Sequence, residues 1–434
     1  MSAILPEAER PKALYIAGNP GSGKSSLIQN MALQDIKANR GVCVIDPTGD
    51  LVNRIAAWIP KEQAQRLGAG EVIIFDTDDP VPIDFFSYRS PAERELLTDQ
   101  LLDIFNLENA PVSKPRLQRI IGTLFDANES KRMNLEENAG DRCTFLDILH
   151  FIEDKTRRET ILSYCGPERH KQWNPMPGTG KDYASIYERM GPFLESRTLR
   201  AMFECRSPRL NISDVMAKNQ ILLVNLKDTA TDFFIGSLIM SKIQQATFAR
   251  RSVPEATRVP YYLYVDECQT VMAYSEKKFA DILTRARKYK LCLTMSNQIP
   301  VDLPSGIRSK LGTIASKILF NLDAENARIF KDAIAPCEVY ELMNLRDFHA
   351  ISRINRRVRH LKTPTFLGPS PASYATIMRN RTVDRYACNS PQVRQDEGND
   401  HPNTDAEPQE QKPSSRPVVV PSHKTHKANP RNTR

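Results

Sequence analysis

Long apolar runs are missing from this sequence, and its opening stretch Met1–Arg10 is polar and acidic. A bilayer-spanning helix needs about 20 consecutive apolar residues, and a secretory leader needs a basic start before its apolar segment. Neither a membrane span nor a signal peptide is therefore expected, and the protein is expected in the cytoplasm. The eight cysteines, at 43, 143, 165, 205, 268, 292, 337 and 388, form no C-x-x-C pair. That spacing excludes a disulfide framework or a zinc site of the usual kind and predicts reduced, mostly buried thiols. Glycine is sparse as well: 18 in 434 residues, below the average usage of about 7%. Three of them fall together between Gly18 and Gly23, and that concentration is the first positive signal.

The segment Gly18-Asn19-Pro20-Gly21-Ser22-Gly23-Lys24-Ser25 matches G-x-x-x-x-G-K-[ST] in full. It follows an apolar run, Ala13 to Ala17, that reads as a strand, and it opens into Ser26-Leu27-Ile28-Gln29-Asn30-Met31, which reads as a helix start. In that context the glycines let the backbone curl into a cradle of N–H donors, and the helix N-terminus adds positive potential. Lys24 reaches the outer phosphates of a bound nucleotide, and Ser25 ligates Mg²⁺. The expected phosphate-binding set is Gly18, Asn19, Pro20, Gly21, Ser22, Gly23, Lys24, Ser25 and Ser26, with ATP and Mg²⁺ as ligands.

A second motif closes the argument for nucleotide chemistry. Tyr261-Tyr262-Leu263-Tyr264-Val265-Asp266-Glu267 is an apolar, aromatic run ending in two adjacent carboxylates, as a buried central strand would. Asp-Glu after a strand is by itself often a helix N-cap. With a phosphate loop upstream, the better reading is an aspartate that supports Mg²⁺ (Asp266) and a glutamate that takes a proton from the attacking water (Glu267).

At 434 residues the chain has room for two to three domains, and 40% hydrophobic content is enough for a sizeable core. Strands alternate with helices through the first 90 residues, with Gly41–Asp46 and Glu71–Asp76 as the second and third strands. That alternation predicts a mostly parallel sheet. From 91 to 207 the periodicity turns helical, in segments such as Glu93–Asn106, Lys114–Ala127, Thr144–Ile152 and Tyr183–Phe203, which reads as an inserted all-α domain. Strands resume at Gln220–Asn225, Tyr261–Val265, Leu291–Ser296 and Lys317–Phe320, with helices Phe234–Arg251 and Lys277–Lys288 between them. The second part of the sheet domain is placed at 208–378 and a disordered tail at 379–434, since the chain from Pro391 onward has seven prolines and no aromatic residue.

A net charge of +8 permits nucleic-acid binding without requiring it. More local is Arg353-Ile354-Asn355-Arg356-Arg357-Val358-Arg359-His360-Leu361-Lys362, read as one edge strand. Its basic side chains either face a phosphate backbone or keep a solvated edge from aggregating. The last stretch, His423–Arg434, is basic too, and reads either as a contact for nucleic acid or an acidic partner or as a solvated end.

Further motifs narrow the class: D-P-x-G-D-L at Asp46–Leu51, V-D-E-x-Q at Val265–Gln269, R-K-Y at Arg287–Tyr289, Gln298 after the next strand, and Asn321-Leu322-Asp323-Ala324-Glu325-Asn326-Ala327. With these the chain resembles the HerA/FtsK superfamily and, within it, the type IV secretion coupling proteins that pump DNA during conjugation. The resemblance spans about residues 12 to 345. It implies a RecA-like P-loop α/β fold with an all-α insertion and a hexameric ring ATPase whose sites lie at subunit boundaries. Gln298 would sense the γ-phosphate, and Arg287 would be the arginine finger given to a neighbour's site, with Arg285 the competing candidate and a surface ion pair the plain alternative for either. DNA is the implied partner, alongside further copies of the chain and a relaxase-type or membrane-anchored protein that would recruit it to an inner membrane. The N-terminal membrane helices of coupling proteins and the β-barrel of HerA relatives are absent from this sequence, so direct membrane insertion is not expected. Three functions remain open: a conjugative DNA translocase, a motor that packages or processes viral or chromosomal DNA, and a nucleotide-dependent assembly switch.

Overall fold

A computed structural model describes residues 5–60, 72–105, 107, 110–130, 140–178, 180–227, 229–272, 276–368, 370 and 373–387. Nine strands form one sheet: β1 (Leu14–Ala17), β2 (Gly41–Asp46), β3 (Val72–Asp76), β4 (Ile221–Asn225), β5 (Tyr261–Val265), β6 (Leu291–Asn297), β7 (Ser316–Leu319), β8 (His349–Ile354) and β9 (Arg357–Lys362). Their order is β3-β4-β2-β5-β6-β1-β7-β8-β9, with β1 to β7 parallel and β8 and β9 antiparallel. The parallel strands are continuous apolar runs because both faces are covered, and successive side chains feed different cores. Along β1, Leu14 and Ile16 join one apolar cluster while Tyr15 and Ala17 join the other.

One consequence of this order governs the site. The strand before the phosphate loop, β1, does not pair with β5, which carries the two carboxylates; β6 lies between them. Every group that crosses from the loop to Asp266 therefore passes the end of β6.

Between β3 and β4 the described chain is helical: Pro91–Ile104, Ser113–Glu129, Asp147–Glu153, Lys155–Ser163, Pro167–Trp173, Ala184–Glu195, Arg197–Glu204 and Ile212–Ala217. Its aromatic side chains Phe85, Phe86, Phe125 and Phe145 pack with one another and share a core with one face of the sheet. The single helix expected over Tyr183–Phe203 is broken at Ser196, whose extended backbone (φ −91°, ψ 111°) ends one helix. Its hydroxyl then accepts from Leu199 N–H at 3.3 Å to start the next.

The two edges of the sheet are finished differently. At β3 the helix Ala375–Tyr386 lies along the edge, where Thr382 Oγ1 accepts the Ile74 N–H at 3.1 Å and Met378 is buried. That helix crosses the boundary drawn at 379 from the sequence. Only Met378, Thr382 and Tyr386 are buried in it, an i, i+4, i+8 stripe too thin to stand out from its polar neighbours. The rest of the expected tail, 388–434, lies outside the described residues. At the other edge, Arg353–Lys362 is not one strand but a hairpin: Asn355 (φ 49°) and Arg356 (φ 64°) both turn left-handed, the two-residue geometry that folds β9 back on β8. β9 alone is the edge, and its Arg357, Arg359, His360 and Lys362 are exposed. Cys43, Cys143, Cys165, Cys268, Cys292 and Cys337 are free thiols, whereas Cys205 is disulfide-bonded, which corrects the expectation that all were reduced. Among the described residues no helix is long and apolar enough to cross a membrane.

Candidate nucleotide site

The loop from Gly18 to Gly23 joins β1 to the helix Lys24–Lys37. Gly23 sits at φ 115°, where a side chain is strained, and a Cβ there would lie 2.9 Å from Phe348 Cδ1. The loop is held from outside as well as within. Asn19 N–H donates to Asn321 O at 2.8 Å, Asn19 Nδ2 donates to Asn321 Oδ1 at 2.8 Å, and Phe348 N–H donates to Ser22 O at 2.9 Å. Pro20 and Gly21 form the exposed tip. Ser26 Oγ donates to Pro364 O at 2.9 Å, so its hydroxyl is engaged outside the loop.

Lys24 is 4% exposed; its Nζ donates to Gly18 O at 2.8 Å and Asn19 O at 3.3 Å, with Glu267 Oε1 at 3.9 Å. Burial pulls the Lys24 ammonium below its ordinary range, and the charges of Glu267 and Asp266 oppose that. Across the intervening strand, Ser25 Oγ donates to Asp266 Oδ2 at 2.8 Å, while Ser296 Oγ on β6 donates to the other oxygen of Asp266. Glu267 has a left-handed backbone (φ 40°), which turns the chain sharply after β5. Its carboxylate accepts from Gln298 Nε2 at 2.7 Å and from Gln269 Nε2 at 3.1 Å; Gln269 in turn accepts from Asn297 Nδ2 at 3.0 Å.

A third carboxylate, Asp46 at the end of β2, is fully buried and caps the turn after it, accepting from Thr48 N–H and Val52 N–H at 3.0 Å each. Gly49 follows at φ 82° with Asn225 packed so close that a Cβ would collide with it. Burial pushes both Asp46 and Asp266 above the usual carboxylate range; Asp266 adds to the shift of Asp46, and Glu267 adds to that of Asp266. The site thus sets Lys24 between Asp266 and Glu267, with Asp46 coupled to Asp266 from the neighbouring strand.

Several features test whether a nucleotide with Mg²⁺ suits these residues. The Ser22 hydroxyl is buried with no hydrogen-bond partner. The N–H groups of Lys24, Ser25 and Ser26 open a helix and have no acceptor within it. Lys24 spends its donors on its own loop's carbonyls, and the acid excess beside Ser25 and Asp266 is of the oxygen-rich type that Mg²⁺ takes. The residues fit an anion in the loop and a hard divalent cation beside it.

Arg287 is not brought to this site. It lies in the turn Ala286–Tyr289 just before β6, at the opposite end of the strands from the loop. The length of β6 separates the two by about 20 Å. Arg287 is exposed, whereas Arg285 is engaged locally, 3.8 Å from Asp281 and stacked 4.9 Å from the Phe248 ring centroid. Sequence reasoning missed Ser296 and Phe348 as groups that fix the site, and Asn321 was read only as part of a motif. Gln269 stood inside a recognised motif with no role assigned.

The sheet order, the loop and the strand-end carboxylates define a RecA-like P-loop fold. No family model and no curated protein matches the sequence. Among solved structures the chain is similar to the bacterial conjugative coupling protein TrwBdeltaN70 in its unbound form, with TM-score 0.61 and 14% identity over 85% of this chain and 88% of that one. It is also similar to plasmid coupling protein TrwB in complex with ADP and Mg²⁺, with TM-score 0.59 and 15% identity over 85% and 89%. A third likeness is to VirB4 of Thermoanaerobacter pseudethanolicus, with TM-score 0.55 and 15% identity over 84% and 90%. Likeness at these identities is a likeness of fold.

Proposed function

We propose that this chain is an ATPase that drives DNA movement as a ring of identical subunits, in the manner of conjugative coupling ATPases. The observation that carries the reading is the convergence of Lys24 and Ser25 with Asp266 and Glu267 across the end of β6. In this reading the residues from Gly18 to Ser26 hold the phosphates, mainly through backbone N–H groups and Lys24, and Ser25 and Asp266 hold Mg²⁺. Bound there, Mg²⁺ supplies charge neutralisation for phosphoryl transfer. Glu267 takes the proton from water. Gln298 and Gln269 orient its two oxygens, so Gln298 links the phosphate end of the site to the base rather than acting alone.

Arg287 serves a neighbour. Its place at the far end of the strands bars it from its own subunit's loop, and a head-to-tail ring joins unlike faces of adjacent subunits. A planar, permanently charged guanidinium there neutralises transition-state charge. The ring is a hexamer, DNA passes along it, and attachment to a membrane is the task of a separate partner.

The test is the ATPase rate over a protein concentration series, with and without single- and double-stranded DNA. A rate that rises steeply with concentration and is stimulated by DNA is expected. A rate indifferent to both contradicts a DNA motor with shared sites and leaves an ATPase switched by another partner.

A further inference from the structure

Away from the phosphate loop, three groups of metal-binding chemistry meet that no motif spacing joins. Cys337 precedes the short helix Val339–Met343, Glu341 lies within it, and His360 comes from edge strand β9; their Sγ, carboxylate oxygen and Nε2 lie within 4.8 Å of one another. The distances are 3.7 Å from Cys337 Sγ to His360 Nε2 and 3.5 Å from His360 Nε2 to Glu341 Oε2. Tetrahedral zinc with bonds of about 2.3 Å to sulfur and 2.0–2.1 Å to nitrogen or oxygen places such donors roughly 3.4–3.6 Å apart. Glu341 is also aimed: its other oxygen accepts the Glu338 N–H at 2.9 Å, which leaves Oε2 turned to the imidazole.

We propose that Cys337, Glu341 and His360 are three ligands of a zinc-class divalent cation, with solvent as the fourth, and that the cation clips the segment before β8 to edge strand β9. That segment leans on the phosphate loop. Asn321 Nδ2 donates to Met343 O at 2.6 Å and Leu345 O at 3.2 Å while Asn321 Oδ1 accepts from Asn19, and Phe348 N–H reaches Ser22 O. A cation there stiffens the wall against which the loop is built. Its binding releases the Cys337 thiol proton. The inference does not depend on the nucleotide reading.

The experiment is a Co²⁺ titration of metal-free, full-length protein without nucleotide. One equivalent is expected to give a thiolate-to-cobalt charge-transfer band and the visible bands of a tetrahedral ion, both removed by Zn²⁺. Cys337→Ser should lose the charge-transfer band, and His360→Ala, which removes a direct ligand, should weaken Co²⁺ binding by more than the roughly 10- to 100-fold that loss of an outer partner costs. Glu341→Gln, which keeps the side chain's size and an oxygen for the helix cap, should weaken binding at least about tenfold while the band stays in place. Cys165→Ser should change nothing. Absence of the charge-transfer band in the wild-type protein, or its survival in Cys337→Ser, overturns the proposal.

Discussion

Two buried aspartates, one in the helical region and one beside the phosphate loop, are treated in opposite ways. Asp147 is fully buried and is met by Arg157 Nε at 2.7 Å, Arg206 at 3.3 Å and His150 at 3.5 Å. Burial alone would raise its carboxyl, but hydrogen bonds from His150 and Arg157 and the charges of Arg157 and Arg206 hold it well below the usual range. Asp266 is 4% exposed and receives only two serine hydroxyls and its neighbour's N–H, and its carboxyl stays raised. A buried carboxylate met by two arginines is part of the architecture; one met mainly by hydroxyls, with Lys24 the cation that acts on it, suits a metal beside it.

The largest effects should separate the site from the scaffold outright. Glu267→Gln should lower ATP turnover by roughly 10²- to 10⁴-fold while nucleotide binding, read by equilibrium titration, survives. Normal turnover in that variant would remove Glu267 from the role of base. Asp147→Ala should cost about 3–5 kcal/mol in urea unfolding, because Arg157 and Arg206 lose their shared buried carboxylate and keep mainly backbone carbonyls. A loss under about 1 kcal/mol would mean that the two arginines find other partners. Gly23→Ala should cost about 1–2 kcal/mol through its left-handed φ, with added crowding at Phe348, and should weaken nucleotide binding as the loop shifts.

The smallest and sharpest effect is that of pH. Asp266 is raised in the folded state, so its contribution is fully favourable below the ordinary carboxylate range and is lost as pH rises through the folded value. Asp147 is depressed, so its contribution is present above the ordinary range and is lost only as pH falls below it. In chemical unfolding from pH 7 to pH 4, the difference between wild type and Asp147→Asn should persist. Over the same interval wild type should gain on Asp266→Asn. Parallel pH curves for the two variants would dissolve the contrast.

Much of the sheet was readable because strands buried on both faces appear as short, unbroken apolar runs: β2 and β5 carry the expected bounds, the limits of β1, β4, β6 and β7 shift by one residue, and Glu71, the expected start of β3, lies outside the described residues. The phosphate loop was readable because its glycines and lysine are adjacent in sequence. What stayed hidden depends on distant pairings. Ser296 is an ordinary strand residue until β6 is known to lie between β1 and β5. Asp147 and Arg206 are far apart in the chain, and nothing in either segment announces the other. The helix Lys155–Ser163 buries only Ile161 and Leu162, too few for a periodic signal. The cluster at Cys337 and His360 arises only because the hairpin turn at Asn355-Arg356 carries β9 back beside β8.

The most direct test is the thermal unfolding of wild type and Asp266→Asn with and without MgATP. Without ligand, Asp266→Asn should melt no lower than wild type, since it removes a carboxyl that burial holds above its usual range. With MgATP at about 100 times its Kd, wild type should gain about 2.7 kcal/mol, and the variant should lose most of the Mg²⁺-dependent share of that gain. A variant that melts well below wild type without ligand, yet keeps the full Mg²⁺-dependent gain, would contradict the assignment of Asp266 as the carboxylate held ready for the metal.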